Sequence, residues 1–156
     1  MRVQIRQASP EDAALLTDLA LRSKAYWGYG TELIELWRGE LTITADLIGG
    51  QPTFVAHDGN RVLGFYSLGL ASESAELDHL WVEPGALRKG VGSALLVHAL
   101  AEARSTGAHE VRVVSDPNAE GFYVRFGAIR VGEFESVPPG RVLPILAFDL
   151  SQVESL

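Results

Sequence analysis

A chain of 156 residues, 47% hydrophobic and 21% charged, has the length of one domain and enough apolar material to bury a core. Its formal charge of −7 argues against general nucleic-acid binding and leans towards a cationic partner. With no cysteine, disulfides, thiolate metal sites and a cysteine nucleophile are all excluded.

The N-terminal Met1-Arg2-Val3-Gln4-Ile5-Arg6 alternates like a strand over Arg2–Arg6 and lacks the apolar core of a signal peptide. No apolar run approaches membrane-spanning length, so the protein is read as cytoplasmic, without a membrane partner. Ser9-Pro10-Glu11-Asp12 marks a helix start, with Ser9 as cap, proline in the first turn and two acids near the dipole. Leu15, Leu16, Leu19 and Ala20 recur at helical spacing and predict its buried face. Tyr26-Trp27-Gly28-Tyr29-Gly30 interleaves aromatics with glycine. It reads equally as a loop plugging the edge of the core and as an aromatic wall for a substrate. A second helix is expected from Thr31 to about Arg38, and Thr44-Ala45-Asp46 caps one more turn.

Sheet follows. Thr53–His57 and Val62–Leu70 flank Asp58-Gly59-Asn60, a strong hairpin turn. The next strand runs from about Ala75 to Val82, and its apolar set Leu77, Leu80 and Val82 breaks strict alternation by one residue. A β-bulge near Asp78-His79 would repair the alternation and pry neighbouring strands apart. After the break at Pro84-Gly85 comes a basic turn, Arg88-Lys89-Gly90-Val91-Gly92-Ser93, and then a helix with Leu95, Leu96, Ala99, Leu100 and Ala103 on one face, ended by Gly107. A helix start offers free N–H groups and a positive dipole end, and glycines let the main chain approach a ligand. That combination suits a pyrophosphate; the competing reading is a plain strand-to-helix turn with solvated Arg and Lys. It is not a P-loop, since no Lys-Ser or Lys-Thr follows the last glycine, and it lacks the third glycine of a dinucleotide fingerprint.

His109–Ser115 reads as a mostly buried strand. Asp116-Pro117-Asn118 starts a helix that carries Phe122, Tyr123 and Phe126 and stops at Gly127. Ala128–Glu135 and Arg141–Leu150 are closing strands joined through Pro138-Pro139-Gly140. The order βααββββαβαββ predicts a single α/β domain over residues 1–156, a mixed sheet with helices on both faces.

The segment Leu77–Ala103 resembles the acyl-CoA-binding motif of the GCN5-related N-acetyltransferases, the GNAT family. There a strand, a loop of pattern Gln/Arg-x-x-Gly-x-Gly/Ala and a helix grip the CoA pyrophosphate. Leu87, Gly90 and Gly92 stand at the patterned positions, and Leu87 departs from the usual Gln or Arg. Asp116–Ala128 is similar to the family's Asn-x-x-Ala-x-x-Phe/Leu-Tyr-x-x-x-Gly-Phe/Ala segment. Ala119, Tyr123 and Gly127 match in register; Asp116 replaces Asn, with Asn118 close enough to take over its contact. The resemblance covers nearly the whole chain, most specifically Leu77–Gly127. It implies the acyl-CoA N-acyltransferase fold, with a mostly antiparallel sheet, and acetyl-CoA as donor. It also places Leu80, Trp81, Val82, Leu87, Arg88, Lys89, Gly90, Val91, Gly92, Ser93, Asp116, Asn118, Phe122 and Tyr123 at the cofactor. Tyr123 takes the role of acid to the departing sulfur, which an O–H stabilises as it leaves.

The acceptor amine must lose a proton. Asp78 is the first choice of base, directly or through water, with Glu76 and His79 in reserve. Trp27, Tyr29 and His79 are the candidate substrate contacts. His57, His98 and His109 show no ligand spacing, so no metal is assigned. Without cysteine or a Gly-x-Ser-x-Gly elbow, transfer is expected to be direct, within a ternary complex. The expected acceptor is a primary amine on a small cationic molecule, with allowance for a homodimer. Two alternatives stay open. One is a non-catalytic acyl-CoA-binding or interaction module, favoured by the departures at Leu87 and Asp116. The other is a peptide or protein N-acetyltransferase, which needs an open groove where the Tyr26–Tyr29 aromatics suggest a small enclosed pocket.

Overall fold

The computed structural model describes residues 2–151. Strands β1 (Gln4–Gln7), β2 (Thr53–Asp58), β3 (Arg61–Leu70), β4 (Ser74–Val82), β5 (Glu110–Val114), β6 (Ile129–Glu135) and β7 (Val142–Asp149) form one sheet in the order β1-β2-β3-β4-β5-β7-β6. The helices are α1 (Ala13–Ala25), α2 (Thr31–Leu41), α3 (Ala45–Gly50), α4 (Val91–Ser105) and α5 (Glu120–Arg125). Three strands, not four, separate the N-terminal helices from α4, so the observed order is βαααβββαβαββ. The β4–β5 pair is parallel; β1–β2, β2–β3, β5–β7 and β7–β6 are antiparallel.

The caps place the elements. Thr44 accepts from the Leu47 N–H (3.0 Å) and starts α3. Helix α1 enters through a 3₁₀ turn at Pro10–Asp12, where the Asp12 carboxylate takes the Ser9 N–H (2.8 Å) and the Arg6 guanidinium (2.9 Å). Those bonds, Arg6 first, hold Asp12 below the usual carboxylate range. Some limits differ from the sequence reading because neighbours decide them. Strand β1 is Gln4–Gln7 rather than Arg2–Arg6, as those four residues register against His57–Phe54 of β2. Helix α2 runs on to Leu41, whose side chain is buried. Leu15 is exposed, and the buried stripe of α1 is Leu16, Leu19, Ala20, Ser23 and Lys24. Strand β5 alternates: Val111 and Val113 are buried, Arg112 and Val114 exposed.

The chain divides into two compact units. The first runs to Leu68 and takes in His79–Ala99; the second takes in Gly69–Asp78 and the described chain from Leu100 onward. In the first, α1 and α3 lay Leu16, Leu19, Ala20 and Ile48 on Val55 and Phe65 of the β2–β3 hairpin. The opposite side chains of that hairpin meet α4. Phe54 stacks on Tyr66 at 5.5 Å, and the Tyr66 hydroxyl lies 2.7 Å from Nδ1 of His98. Helices therefore cover both faces of the hairpin. Close approach demands Gly64: a Cβ there would lie 2.6 Å from the Trp81 carbonyl oxygen and 3.0 Å from Leu95.

In the second unit β5 pairs with the start of β4, Ser74–Glu76 against Glu110–Arg112, and with β7 along its length. Two helix ends share one device. Gly107 (φ 94°) follows α4 with Ala108 N–H bonded to the Ala103 carbonyl at 3.2 Å; Gly127 (φ 99°) follows α5 with Ala128 N–H bonded to the Tyr123 carbonyl at 3.2 Å. Both are Schellman ends, in which a left-handed glycine reverses the chain and satisfies orphan carbonyls.

Candidate active site

The basic turn is rooted firmly. Glu83 follows β4, donates its N–H to the Leu63 carbonyl (2.8 Å), and holds Arg22 of α1 through two bonds of 3.0 and 2.7 Å. Pro84–Ala86 then make one 3₁₀ turn. Beyond this root Arg88, Lys89 and Gly90 are exposed. Gly90 has φ 82°, and Arg88 itself sits at φ 63°, a left-handed conformation that costs a non-glycine residue about 1–2 kcal/mol. Strain of this kind collects where a loop is shaped for a ligand. Helix α4 begins at Val91, and its ladder opens with Ala94 N–H to the Gly90 carbonyl (3.0 Å). The amides of Val91, Gly92 and Ser93 precede that bond and point out of the helix start. A Cβ built on Gly90 meets nothing within 4 Å, so the space above the turn is open. Gly92 lies inside the first helical turn rather than in the loop. Leu87 is half-buried, and its N–H is bonded to the Pro84 carbonyl (3.3 Å).

On β4, buried Ala75 and Leu77 alternate with exposed Glu76 and Asp78, which sets both carboxylates on one face. The Asp78 carboxylate lies over Gly69, where a Cβ would stand 2.8 Å from Oδ2. The burial rhythm then breaks: His79, Leu80 and Trp81 are all half-buried before buried Val82. His79 is not a bare side chain, because its Nδ1 accepts the Trp81 indole N–H at 3.1 Å.

The aromatic segment splits in two. Tyr26 and Trp27 are exposed and pack edge to face on one another at 5.6 Å, whereas Tyr29 is half-buried and edge-on to Trp37 at 4.9 Å. Between these rings lies a residue that the sequence reading passed over. Lys24 is 8% exposed, its ammonium 5.1, 4.9 and 5.9 Å from the ring centres of Tyr29, Trp37 and Trp81. A cation among aromatic faces is attracted by their quadrupoles. The signal was present in the spacing: Lys24 falls one turn after Ala20 and two after Leu16, on the apolar stripe.

The second signature segment is packed and bonded. Tyr123 is 5% exposed, edge-on to Phe122 at 5.2 Å and to Phe148 at 6.3 Å. Among the described residues its hydroxyl has no hydrogen-bond partner, and no fully buried side-chain oxygen is left unsatisfied, so the hydroxyl reaches the surface. Burial, reinforced by the Asp116 charge, pushes the phenol well above its ordinary pKa and keeps the proton on oxygen. Asp116 accepts both the main-chain N–H (2.8 Å) and the side-chain amide (2.9 Å) of Asn118, and Arg141 lies 3.6 Å from its other oxygen. Asn118 thus braces Asp116. Arg141, too, escaped the sequence reading, because only the β7 approach brings it there.

Among the described residues no helix is long and apolar enough to cross a membrane, and no cluster of three or more His, Asp or Glu could hold a metal. A family model described as the acetyltransferase (GNAT) family matches residues 16–128. The chain belongs to the GNAT family of acetyltransferases. No curated protein matches this GNAT chain. Solved structures share its fold. The PaiA N-acetyltransferase of Thermoplasma acidophilum, in complex with coenzyme A, is 23% identical with a TM-score of 0.76 over 96% of this chain and 99% of its own. A GCN5-related N-acetyltransferase of Rhodopseudomonas palustris is 22% identical with a TM-score of 0.80, covering 96% and 97%. YncA of Salmonella typhimurium, solved with its cofactor acetyl-CoA, is 20% identical with a TM-score of 0.69, covering 100% and 98%. This GNAT fold is the mixed, mostly antiparallel sheet with helices that the resemblance implied.

Proposed function

We propose that this GNAT protein is a cytoplasmic, single-domain enzyme that moves an acetyl group from acetyl-CoA directly to a primary amine of a small cationic molecule. The observation that carries the reading is the Tyr123 side chain: a buried ring whose hydroxyl keeps its proton and has no internal partner among the described residues. The exposed turn fits the phosphates of the donor, because it offers the Val91, Gly92 and Ser93 amides, open space at Gly90 and the charges of Arg88 and Lys89. This grip is mostly main chain, so a leucine at position 87 weakens it without removing it.

Acetyl-CoA supplies the activated acetyl group. The amine nitrogen bonds to the acetyl carbon as the carbon–sulfur bond breaks; Tyr123 gives its proton to the sulfur, and Asp78 or Glu76 takes the proton released by nitrogen, directly or through water. The two carboxylates, exposed on one face of β4, also favour a cationic acceptor. Because Tyr123→Phe keeps the ring, stability and CoA affinity should hold while turnover falls about 10²–10⁴-fold. The loss should shrink with donors whose thiol is more acidic. Normal turnover in the variant would give the proton another source and remove Tyr123 from catalysis.

A further inference from the structure

The register of the second unit sorts its side chains onto two unlike faces. Ala75, Val111, Val113, Leu146 and Phe148 share one face and are buried, and α5 lies there through Tyr123, whose ring meets Phe148 at 6.3 Å. On the other face Glu76, Arg112, Ala147 and Ile129 form one cross-strand row; Val114, Ile145 and Gly132 form the next, then Leu143 and Phe134. Positions 129 and 134 are five apart, so an unbroken strand would set them on opposite faces. The bulge between Arg130 and Gly132 puts both on this face. It leaves Arg130, Glu133 and Glu135 on the other, where Arg130 bonds Glu120 of α5 at 3.0 Å. Val114, Ile129 and Phe134 are 42%, 65% and 50% exposed, and Leu143 and Ile145 are half-buried. Together they make an apolar strip across β5, β7 and β6. A Cβ at Gly132 would stand 3.6 Å from Ile145 Cδ1, so the glycine leaves the strip a shallow floor there. The charges of this face lie off the strip. They are the carboxylates Glu76, Asp78, Glu110 and Asp149 and one cation, Arg112, bonded to Glu110 at 2.9 Å.

We propose that this strip is the bed for the apolar body of the acceptor, and that the acceptor is an amphiphilic monoamine: one ammonium at the β4 carboxylates, an alkyl or aryl body across Val114, Ile145, Ile129 and Phe134. It rests on the reading of the β4 carboxylates as the acceptor side of acetyl transfer, and it names the class of acceptor within that reading. Scattered exposed apolar residues need no explanation, whereas a contiguous apolar strip beside polar residues marks a binding surface. Charge fixes which end of the ligand goes where, since carboxylates outnumber cations on this face and all lie off the strip. Neighbouring strands are about 4.8 Å apart, so the bed from β4 to β6 is roughly 14 Å across, the reach of a small amphiphile. Beyond Val114 the register sets no carboxylate on this face, so a second ammonium there would shed water without gaining a partner.

Acetyl transfer to ethylamine, butylamine, hexylamine and 1,4-diaminobutane by the full chain tests it. Along the monoamines kcat/KM should rise about twofold per methylene, since complete burial of one is worth about fourfold and the bed is open on one side. The diamine should fall below butylamine. Ile129→Ser combined with Phe134→Ser should flatten the series by raising KM for hexylamine. A flat series in the wild type, a diamine preferred to hexylamine, or an unflattened series in the folded double variant would overturn the proposal while leaving acetyl transfer standing. If no amine is acetylated, the transfer reading itself fails, and the strip is then decided by binding. Hexylammonium titrated into the ¹⁵N-labelled wild type should shift the amide signals of Val114, Ile129 and Phe134, and unmoved signals would overturn the bed. Sedimentation gives the other occupant its chance: a wild-type dimer that becomes a monomer in the double variant would assign the strip to a second copy and overturn the proposal. Should the double variant fail to fold, the wild-type series and titration decide.

Discussion

The two signature segments of this chain solve opposite problems. The turn that leads into α4 is exposed over Arg88–Gly90, carries two left-handed residues there, and precedes helix-start amides that have no place in the helical ladder. The segment Asp116–Gly127 is packed and bonded internally, and a single hydroxyl remains uncommitted among the described residues. Recognition by backbone tolerates side-chain drift, since every residue but proline supplies an N–H. Catalysis by one side chain does not. Under the proposed function, this contrast accounts for the departure at Leu87 alongside an in-register Tyr123. It also gives Asp116 a coherent place: burial raises the phenol pKa, the acid adds to that rise, and the acid is itself held by Asn118 and Arg141.

The sharpest way to break the comparison is at its extremes. Tyr123→Phe should give the largest change in turnover, about 10²–10⁴-fold, with CoA affinity unmoved. Gly92→Val should do the reverse. A side chain in the first turn of α4 obstructs ligand approach to the amides, and each charged-group bond lost is worth ~1.5–3 kcal/mol, so calorimetric CoA affinity should fall about 10- to 100-fold. Equal affinity in a folded Gly92→Val protein would remove the turn from the cofactor site.

Smaller effects sharpen the contrast. Gly90→Ala has room for its methyl group but must hold φ 82°, so it should lower stability by about 1–2 kcal/mol in thermal denaturation. If the melting temperature did not change, the left-handed turn would not be a fixed feature. Leu87→Arg restores a cation beside an exposed turn, where such pairs are worth ~0–1 kcal/mol. CoA should bind up to about fivefold tighter at low salt, with the gain fading as ionic strength rises. The smallest effect belongs to the aromatic segment. Trp27 is 42% exposed, so Trp27→Ala should shift stability by less than about 0.5 kcal/mol while raising the acceptor KM a few fold. A matching loss of stability and CoA affinity would assign the ring to the core.

Periodicity, caps and glycines determined much of this protein by themselves. They located α1, α2 and α4, the hairpin around Gly59, the Thr44 cap and the helix stops at Gly107 and Gly127, because each depends on a few residues and on local backbone chemistry. The two signature segments were legible for the same reason, as short runs with fixed spacing. What lies across the chain was not. Whether Leu15 or Lys24 faces inward depends on how α1 is rotated against its neighbours, and an aromatic box around an ammonium needs Tyr29, Trp37 and Trp81 from three separate stretches. Spacing cannot foresee that Asn118 braces Asp116, or that Arg141 arrives beside it from the β7 approach. Nor could composition tell that Trp81 would occupy the His79 lone pair. A hydrogen bond or a buried charge is decided by distance in space, and only the tertiary structure fixes that.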